Sequence, residues 1–149
     1  SRDARMEKQV EQVFDEVVDS LTEDERRGRI DIAVRTTANK HVIVELKRYS
    51  ATVRFHNLID QVSKYRDAFS KAIAEKFPDE GRPIEVVAVL GKPPTGNPSD
   101  PGDQARVLKS VDARWVAYDT LINGAQSRYQ DYIDANKRVS RISQLLDQL

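Results

Sequence analysis

Three residues in two short segments have side chains that can do chemistry together. Asp31 lies in the segment 28–34, and Glu45 and Lys47 lie in the segment 41–48. Two carboxylates offer hard oxygen ligands to a divalent metal ion. A lysine two residues from one of them can counter phosphate charge as its ammonium form, or orient a water molecule and, as the neutral amine, deprotonate it. Together these groups predict a site that hydrolyses a phosphodiester bond.

The backbone between Glu45 and Lys47 adds a third candidate ligand, the carbonyl oxygen of Leu46. Phosphodiester hydrolysis needs an activated water, charge stabilisation at phosphorus and neutralisation of the leaving alkoxide, and a hard divalent ion serves all three needs. We therefore predict Asp31, Glu45 and Leu46 as metal-binding residues. Lys47 joins the two acids as a catalytic residue.

Two strands must hold these residues in place. Every second residue is a large aliphatic one in residues 30–35 (Ile30, Ile32, Val34) and in residues 42–47 (Val42, Val44, Leu46). This is the period of a strand with two different faces. The connection between them predicts a hairpin, and a loop of residues 37–39 fits because asparagine tolerates a left-handed conformation at the last position. This register places Asp31 directly opposite Glu45, with Cβ atoms about 5 Å apart on one face.

The remaining pattern predicts helices and buried strands around the hairpin. Apolar residues recur at the helical period in residues 5–21 and 54–76. Apolar runs predict buried strands at 84–90 and 114–119, with a short helix at 104–110 between them. Strands that alternate with helices favour an α/β domain with a central mixed sheet, parallel pairing and flanking helices.

Residues 125–149 predict a long C-terminal helix. Its apolar residues are three or four positions apart, in a heptad seam: Tyr132, Ala135, Val139, Ile142, Leu146 and Leu149. The seam either packs on the domain's own sheet or contacts a second copy or a neighbouring domain. We interpret residues 1–149 as a single domain, whose abrupt helical start suggests a piece excised from a larger protein.

Composition narrows the class of protein. The chain has 149 residues, enough for one domain with a hydrophobic core. The chain contains no cysteine, which excludes disulfides, thiolate metal sites and a cysteine nucleophile. It has only two histidines, so a histidine-rich zinc site is a poor fit. No apolar run approaches the roughly 20 residues of a membrane span. No signal peptide opens the sequence, so we expect a cytoplasmic protein with no membrane partner.

The formal net charge is +0, but basic residues are concentrated around the candidate site. These residues are Arg26, Arg27, Arg29, Arg35, Lys47, Arg48, Arg54, Lys64 and Arg66. Arg48, Arg54 and Lys64 either contact the phosphates of a nucleic acid or belong to a solvated face. We interpret the pattern as a local basic rim on a neutral domain.

The order of these features resembles the PD-(D/E)xK nuclease superfamily. Asp31 matches the first acid of that motif, and Glu45-Leu46-Lys47 matches the (D/E)xK triplet on the next strand. Gln61 and Tyr65, four residues apart in the following helix, resemble the Q-x-x-x-Y element of the exonuclease-like branch. In that branch the glutamine helps to position water or substrate near the metal. The resemblance covers roughly residues 5–90.

The resemblance implies a fold, a cofactor and a reaction. The fold is a restriction-endonuclease-like core, and the cofactor is Mg²⁺ or Mn²⁺. The reaction is cleavage of DNA or RNA, with Asp31, Glu45, Lys47 and Gln61 as the catalytic residues.

Two features depart from the family pattern, and a third is left open. Ile30 stands where the motif has a proline before the first acid, and this position often varies in the family. The family normally has three strands around the motif, and only two are clear here, so the third is short or lies within residues 21–29. Some members add a glutamate from the first helix, for which Glu7 and Glu11 are alternatives.

We therefore expect a metal-dependent nuclease with DNA as the favoured partner. Similar strand-helix segments occur in nuclease-like domains of prokaryotic defence systems, so an effector domain of a defence or DNA-processing protein is one expectation. The alternative is a catalytically silent nuclease-like fold that binds nucleic acid or drives oligomerisation. The intact set of two acids and a lysine favours the enzyme.

Overall fold

The computed structural model describes residues 2–20 and 29–123. The elements in these ranges are α1 (Arg2–Asp19), β1 (Arg29–Thr36), β2 (His41–Lys47), α2 (Phe55–Lys76), β3 (Ile84–Leu90), α3 (Pro101–Ser110), β4 (Ala113–Ala117) and α4 (Tyr118–Asn123). The strands form one sheet in the order β1-β2-β3-β4. Its β1–β2 pair is antiparallel, and the other two pairs are parallel. The predicted α/β class with a mixed sheet and flanking helices is confirmed.

Two element limits differ from the predicted ones, and local capping explains the first of them. Asp100 accepts a hydrogen bond from the backbone N–H of Asp103 (3.0 Å), and Pro101 occupies the first helical position. Both are helix-start signals, so α3 begins three residues earlier than predicted. At the other end of β4, helix α4 begins at Tyr118, so β4 is shorter than the predicted 114–119.

The hairpin between β1 and β2 has a longer loop than predicted. Thr36 pairs with His41, which leaves Thr37–Lys40 as a four-residue loop. Thr37 closes this loop twice. Its N–H donates to the carbonyl of Lys40 (2.8 Å), and its hydroxyl accepts from the N–H of Lys40 (3.1 Å). The predicted register is therefore wrong by one residue, and such a slip sends each side chain of one strand to the other face.

A β-bulge interrupts β1 near its start. Arg29 pairs with Lys47 and Asp31 pairs with Leu46, so Ile30 is one extra residue in β1. A bulge of this kind bends the strand and changes the direction of nearby side chains. Here it brings Arg29 onto the Lys47 face, while Asp31 stays in register with Leu46.

Apolar clusters cover both faces of the sheet. On one face, α1 and α2 pack against the strands, and the rings of Phe14 and Phe69 meet edge to face with centroids 5.4 Å apart. On the other face the buried residues are Val42, Val44, Leu46, Val87, Val89 and Leu121. Since β2 and β3 are buried on both faces, polar groups on these strands lie in a mainly apolar surrounding.

Two predictions concern residues outside the described ranges. They are the C-terminal helix at 125–149 and the portion 21–28 of the segment suggested for a third strand. Within the described ranges, no helix is both long and apolar enough to cross a membrane.

Candidate active site

Glu45 and Lys47 lie side by side at the carboxyl end of β2. Alternation along the strand puts both side chains on the sheet face that α2 covers. Glu45 is 0% exposed and Lys47 is 3% exposed. Charged residues are rarely buried to this degree unless they are paired, because each loses its hydration. The sheet thus holds a carboxylate and an ammonium group together in its interior.

Lys47 links the strand to helix α2. Its Nζ lies 2.5 Å from Glu45 Oε1 and donates a hydrogen bond to Gln61 Oε1 (2.9 Å). Gln61 lies on the second turn of α2, and Tyr65 is one turn further along the same face, 2% exposed. Gln61 and Tyr65 share one helix face, as predicted, and that face is turned toward the Glu45–Lys47 pair.

The carboxyl group of Glu45 has an unusual electrostatic environment. Burial raises its pKa, and the charge of Lys47, the charge of Arg29 and the Tyr65 hydroxyl oppose that rise. Lys47 Nζ lies against Oε1, and both Lys47 and the Tyr65 hydroxyl act on the carboxylate through hydrogen bonds. The two carboxylate oxygens have about four lone-pair sites between them, so Glu45 keeps acceptor capacity for another ligand.

Arg29 is a member of this cluster that the sequence pattern did not single out. It pairs with Lys47 across the hairpin, and its charge acts on Glu45. Its Nη1 is buried without a hydrogen-bond acceptor in the described part of the chain. The sequence shows Arg29 only as one of many basic residues near the motif, because its facing depends on the bulge at Ile30.

Asp31 is the predicted site residue that the register separates from the others. Residue Ile32, and not Asp31, lies opposite Glu45. Asp31 is in register with Leu46, so its side chain belongs to the opposite face, and its Oδ1 accepts a hydrogen bond from the N–H of Ile32 (2.9 Å). The expected direct opposition of the two acids is thus wrong, for the reason that the loop is one residue longer.

The two candidate glutamates of α1 lie in different settings. Glu7 Oε2 accepts a hydrogen bond from the backbone N–H of Thr36 (3.3 Å), which is at the hairpin end of β1 and far along the strands from Lys47. Glu11 is exposed, and partial burial and then the neighbouring acids raise its pKa. The hydrogen bond of Glu7 does not join it to Glu45, and the acids that raise the pKa of Glu11 are on its own helix.

The predicted phosphate-contacting residues are all on the surface. Arg48 directly follows Lys47, Arg54 directly precedes α2, and Lys64 lies on α2 between Gln61 and Tyr65. All three side chains are exposed. These three side chains are open to solvent, whereas Lys47 is buried.

The donor set suits a hard divalent ion held by few protein ligands. No group of three or more His, Cys, Asp or Glu residues that could hold a metal lies within the described ranges. Mg²⁺ often keeps several waters and uses one or two carboxylates together with substrate phosphate. The two oxygens of Glu45 and a backbone carbonyl at Leu46 fit that kind of binding, and Asp31 is the nearest second acid along β1.

Comparisons with protein-family models, with curated proteins and with solved structures find no match to this chain. The site must therefore be judged on its own chemistry. A buried ion pair is poor stabilisation, because the loss of hydration can exceed the attraction between the charges. Glu45 and Lys47 lie at the carboxyl end of β2, the sheet edge where α/β proteins usually bind ligands. This combination favours a functional role for the pair.

Proposed function

We propose that this domain is a metal-dependent nuclease that hydrolyses phosphodiester bonds of nucleic acid. The observation that carries the proposal is the buried pair of Glu45 and Lys47, joined to Gln61 of α2. The proposal includes a restriction-endonuclease-like identity for the core. Its support is the order of elements, in which a helix, two strands with the motif, a second helix and a parallel strand follow each other.

Each residue of the proposed site has a distinct task. Glu45 and the carbonyl of Leu46 would hold Mg²⁺ or Mn²⁺, and a bound ion would supply Lewis-acid neutralisation of phosphate charge. The side chain of Lys47 faces the substrate phosphate as an ammonium group that counters its charge, or faces the attacking water as a neutral amine that takes a proton from it. Gln61 fixes the position of Lys47 Nζ through its hydrogen bond of 2.9 Å.

Asp31 is proposed as the second carboxylate of the site. In the register described above it belongs to the other face, beside the bulge at Ile30. The bulge re-aims Arg29 and leaves Asp31 in register with Leu46. Binding to the ion would therefore require Asp31 to give up its hydrogen bond from the N–H of Ile32 and to turn around the edge of β1. Loss of Asp31 should therefore weaken metal binding.

The substrate of the proposed enzyme is a nucleic acid, with DNA favoured. Arg48, Arg54 and Lys64 are the proposed phosphate contacts, since they are exposed around the buried pair. A neutral domain with only a local set of cations fits an effector domain that works beside other modules, as in a prokaryotic defence or DNA-processing protein.

Cleavage of labelled DNA and RNA with Mg²⁺ or Mn²⁺ tests the proposal. We expect Lys47→Met and Glu45→Gln to lower the rate by about 10²–10⁴-fold, the usual contribution of a general acid or base. Lys71→Met is the matched control, because Lys71 is an exposed lysine of α2 outside the proposed site. Cleavage by Lys47→Met at the wild-type rate would overturn the assignment.

A second candidate function is a catalytically silent fold that binds nucleic acid or forms oligomers. The register that separates Asp31 from Glu45 favours it, because it leaves the proposed metal site with one carboxylate instead of the expected two. This function predicts salt-dependent binding of nucleic acid without metal dependence and without cleavage.

A further inference from the structure

Tyr49 presents an aromatic ring to solvent only two residues after Lys47. It is 56% exposed, the highest value for a large hydrophobic residue in the described ranges. The next such residue, Val107 on α3, is 38% exposed. A single exposed hydrophobic residue is usually unremarkable on a protein surface. The contacts that hold Tyr49 set it apart.

Contacts from the start of α4 hold the side chain of Tyr49. Its hydroxyl donates to the carboxylate of Asp119, with distances of 3.2 Å to Oδ1 and 3.1 Å to Oδ2. Its ring lies 6.0 Å from the ring of Tyr118, tilted by 49°. Tyr118 in turn donates a hydrogen bond from its hydroxyl to the carbonyl of Lys47 (2.7 Å). The exposed ring is therefore tied to the same strand end as the proposed site.

The backbone of Tyr49 is also held from the adjacent loop. A Cβ atom added to Gly91, the first residue after β3, would lie 1.8 Å from the carbonyl oxygen of Tyr49. The two backbones touch in a way that only glycine permits. Tyr49 is thus fixed by its hydroxyl, by a neighbouring ring and by its main chain, and a ring fixed in advance loses little entropy when it binds a ligand.

Three exposed cations share this edge of the sheet with Tyr49. Arg48 precedes Tyr49, Lys92 follows Gly91, and Arg54 forms a β-bridge with Thr95 of the second loop. The two loops that carry them are joined by hydrogen bonds. The N–H of Thr95 donates to Val53 O (2.9 Å), and the N–H of Phe55 donates to Thr95 O (2.8 Å).

The first turn of α2 begins at this same edge and contains no acidic residue. The N-terminal end of the helix dipole therefore adds partial positive charge there. Asp119 is the acid in direct contact with Tyr49, and its carboxylate accepts the hydroxyl at the end of the ring rather than covering a ring face. We call the group of Arg48, Tyr49, Arg54 and Lys92 the Tyr49 surface.

We propose that the Tyr49 surface binds single-stranded nucleic acid, with an unpaired base stacked on the ring of Tyr49. Cations that contact the backbone together with a fixed aromatic ring are the two parts of a single-strand binding site. A base inside a duplex has both faces covered by its neighbours, so stacking on Tyr49 requires an unpaired nucleotide. The inference rests on the proposed function in one respect only, which is that the bound strand is the substrate cleaved near Lys47.

Binding of fluorescent oligonucleotides to the full chain tests the inference, in EDTA so that nothing is cleaved. We expect Tyr49→Ala to weaken binding of single-stranded DNA or RNA by about tenfold, the loss of one stacked base. Binding of the matched duplex should change by less than about twofold. Tyr49→Phe keeps the ring and should retain most of the affinity. Parallel DNA and RNA strands show whether the sugar matters.

Two controls separate stacking from charge and from a loss of folding. Val107→Ala removes the other exposed hydrophobic residue and should leave all affinities unchanged. Arg48→Ala should weaken both single strand and duplex and reduce the salt slope by about 0.7–0.9, the value for one phosphate contact. An equal loss for single strand and duplex with Tyr49→Ala, or no loss at all, would overturn the inference.

The outcome also separates this inference from the proposed function. Cleavage that depends on Lys47, combined with binding that ignores Tyr49, leaves the nuclease standing and removes the inference. Single-strand binding that depends on Tyr49, without any metal-dependent cleavage, supports the inference and removes the nuclease. In that second case the domain is a single-strand binding module.

Discussion

At the scale of single residues, the central feature is a charged pair that the protein keeps out of water. Glu45 and Lys47 were predictable from the sequence, because residues two apart on a strand share a face. Gln61 was predictable because the motif spacing and the helical period agree. Arg29 was not, since its place beside Lys47 depends on one extra residue in the strand. Sequence spacing reports local periodicity and carries no information about a bulge.

A double-mutant cycle tests the buried nature of this pair. Lys47→Met leaves Glu45 buried and unpaired, so we expect it to lower the free energy of unfolding by about 3–5 kcal/mol. Adding Glu45→Gln to that variant should restore much of the loss. Urea unfolding in EDTA measures all four proteins of the cycle.

The pair of Lys40 and Glu85, at the other end of β2, is the matched control for this cycle. Its side chains are 42% and 26% exposed, with the charged atoms 3.3 Å apart. A partly exposed pair contributes about 0.2–1 kcal/mol. Equal coupling energies for the two pairs would contradict the description of Glu45 and Lys47 as a desolvated pair.

The two histidines offer a pH test at the same scale. His41 is 0% exposed, and burial lowers its pKa below the ordinary 6.5, although Glu80 opposes the shift. Between its folded and unfolded pKa values the unfolded chain binds more protons. His41 therefore stabilises the fold above its ordinary pKa, and this contribution is lost as the pH falls through the lowered value.

We expect the wild type to lose more stability between about pH 7.5 and about pH 5 than His41→Gln does. His56→Gln is the control, because His56 is exposed on α2. Urea unfolding at both pH values measures the free energy of unfolding of each protein. Groups that titrate equally in both proteins cancel when the two changes with pH are subtracted. Identical pH dependence of wild type and His41→Gln would show that His41 has no such role.

At the scale of elements, the hairpin shows what the pattern could and could not predict. Alternation predicted both strands, and the buried apolar run predicted β3 at its observed bounds. The register failed because Thr37 uses its side chain to close a four-residue loop, which strand periodicity does not reveal. The consequence is large, since one residue of register decides which face Asp31 occupies.

Contact between the loops after β2 and β3 gives a prediction at this scale. Gly91→Ala places a Cβ against the carbonyl of Tyr49, so we expect a loss of about 1–3 kcal/mol in the free energy of unfolding. It should also weaken single-strand binding, because Tyr49 must move.

Gly81→Ala is the matched control, since a Cβ there meets nothing within 4 Å. Chemical denaturation and oligonucleotide binding are measured on both variants. The close approach of the two loops would be contradicted if Gly91→Ala were as stable as Gly81→Ala and bound as well.

At the scale of the whole molecule, the sheet brings the chemistry to one edge. Parallel pairing of β2, β3 and β4 aligns their carboxyl ends. Lys47, Tyr49 and Gly91 therefore lie close together in space. The α/β class and its parallel pairs followed from the alternation of strands and helices. The clustering of Tyr49 with α4 did not, because Tyr118 and Asp119 are far from it in sequence.

A crystal of the full chain soaked in Mn²⁺, with anomalous scattering recorded, shows whether Glu45 binds a metal ion. We expect one strong anomalous peak within ligand distance of the Glu45 carboxylate and the Leu46 carbonyl, with Asp31 turned toward the ion. The peak should vanish in Glu45→Gln and persist in Glu85→Gln, which changes the partly exposed acid of β3. A crystal saturated with Mn²⁺ that shows no peak there, with Lys47 Nζ still on Glu45, would rule out the proposed metal site.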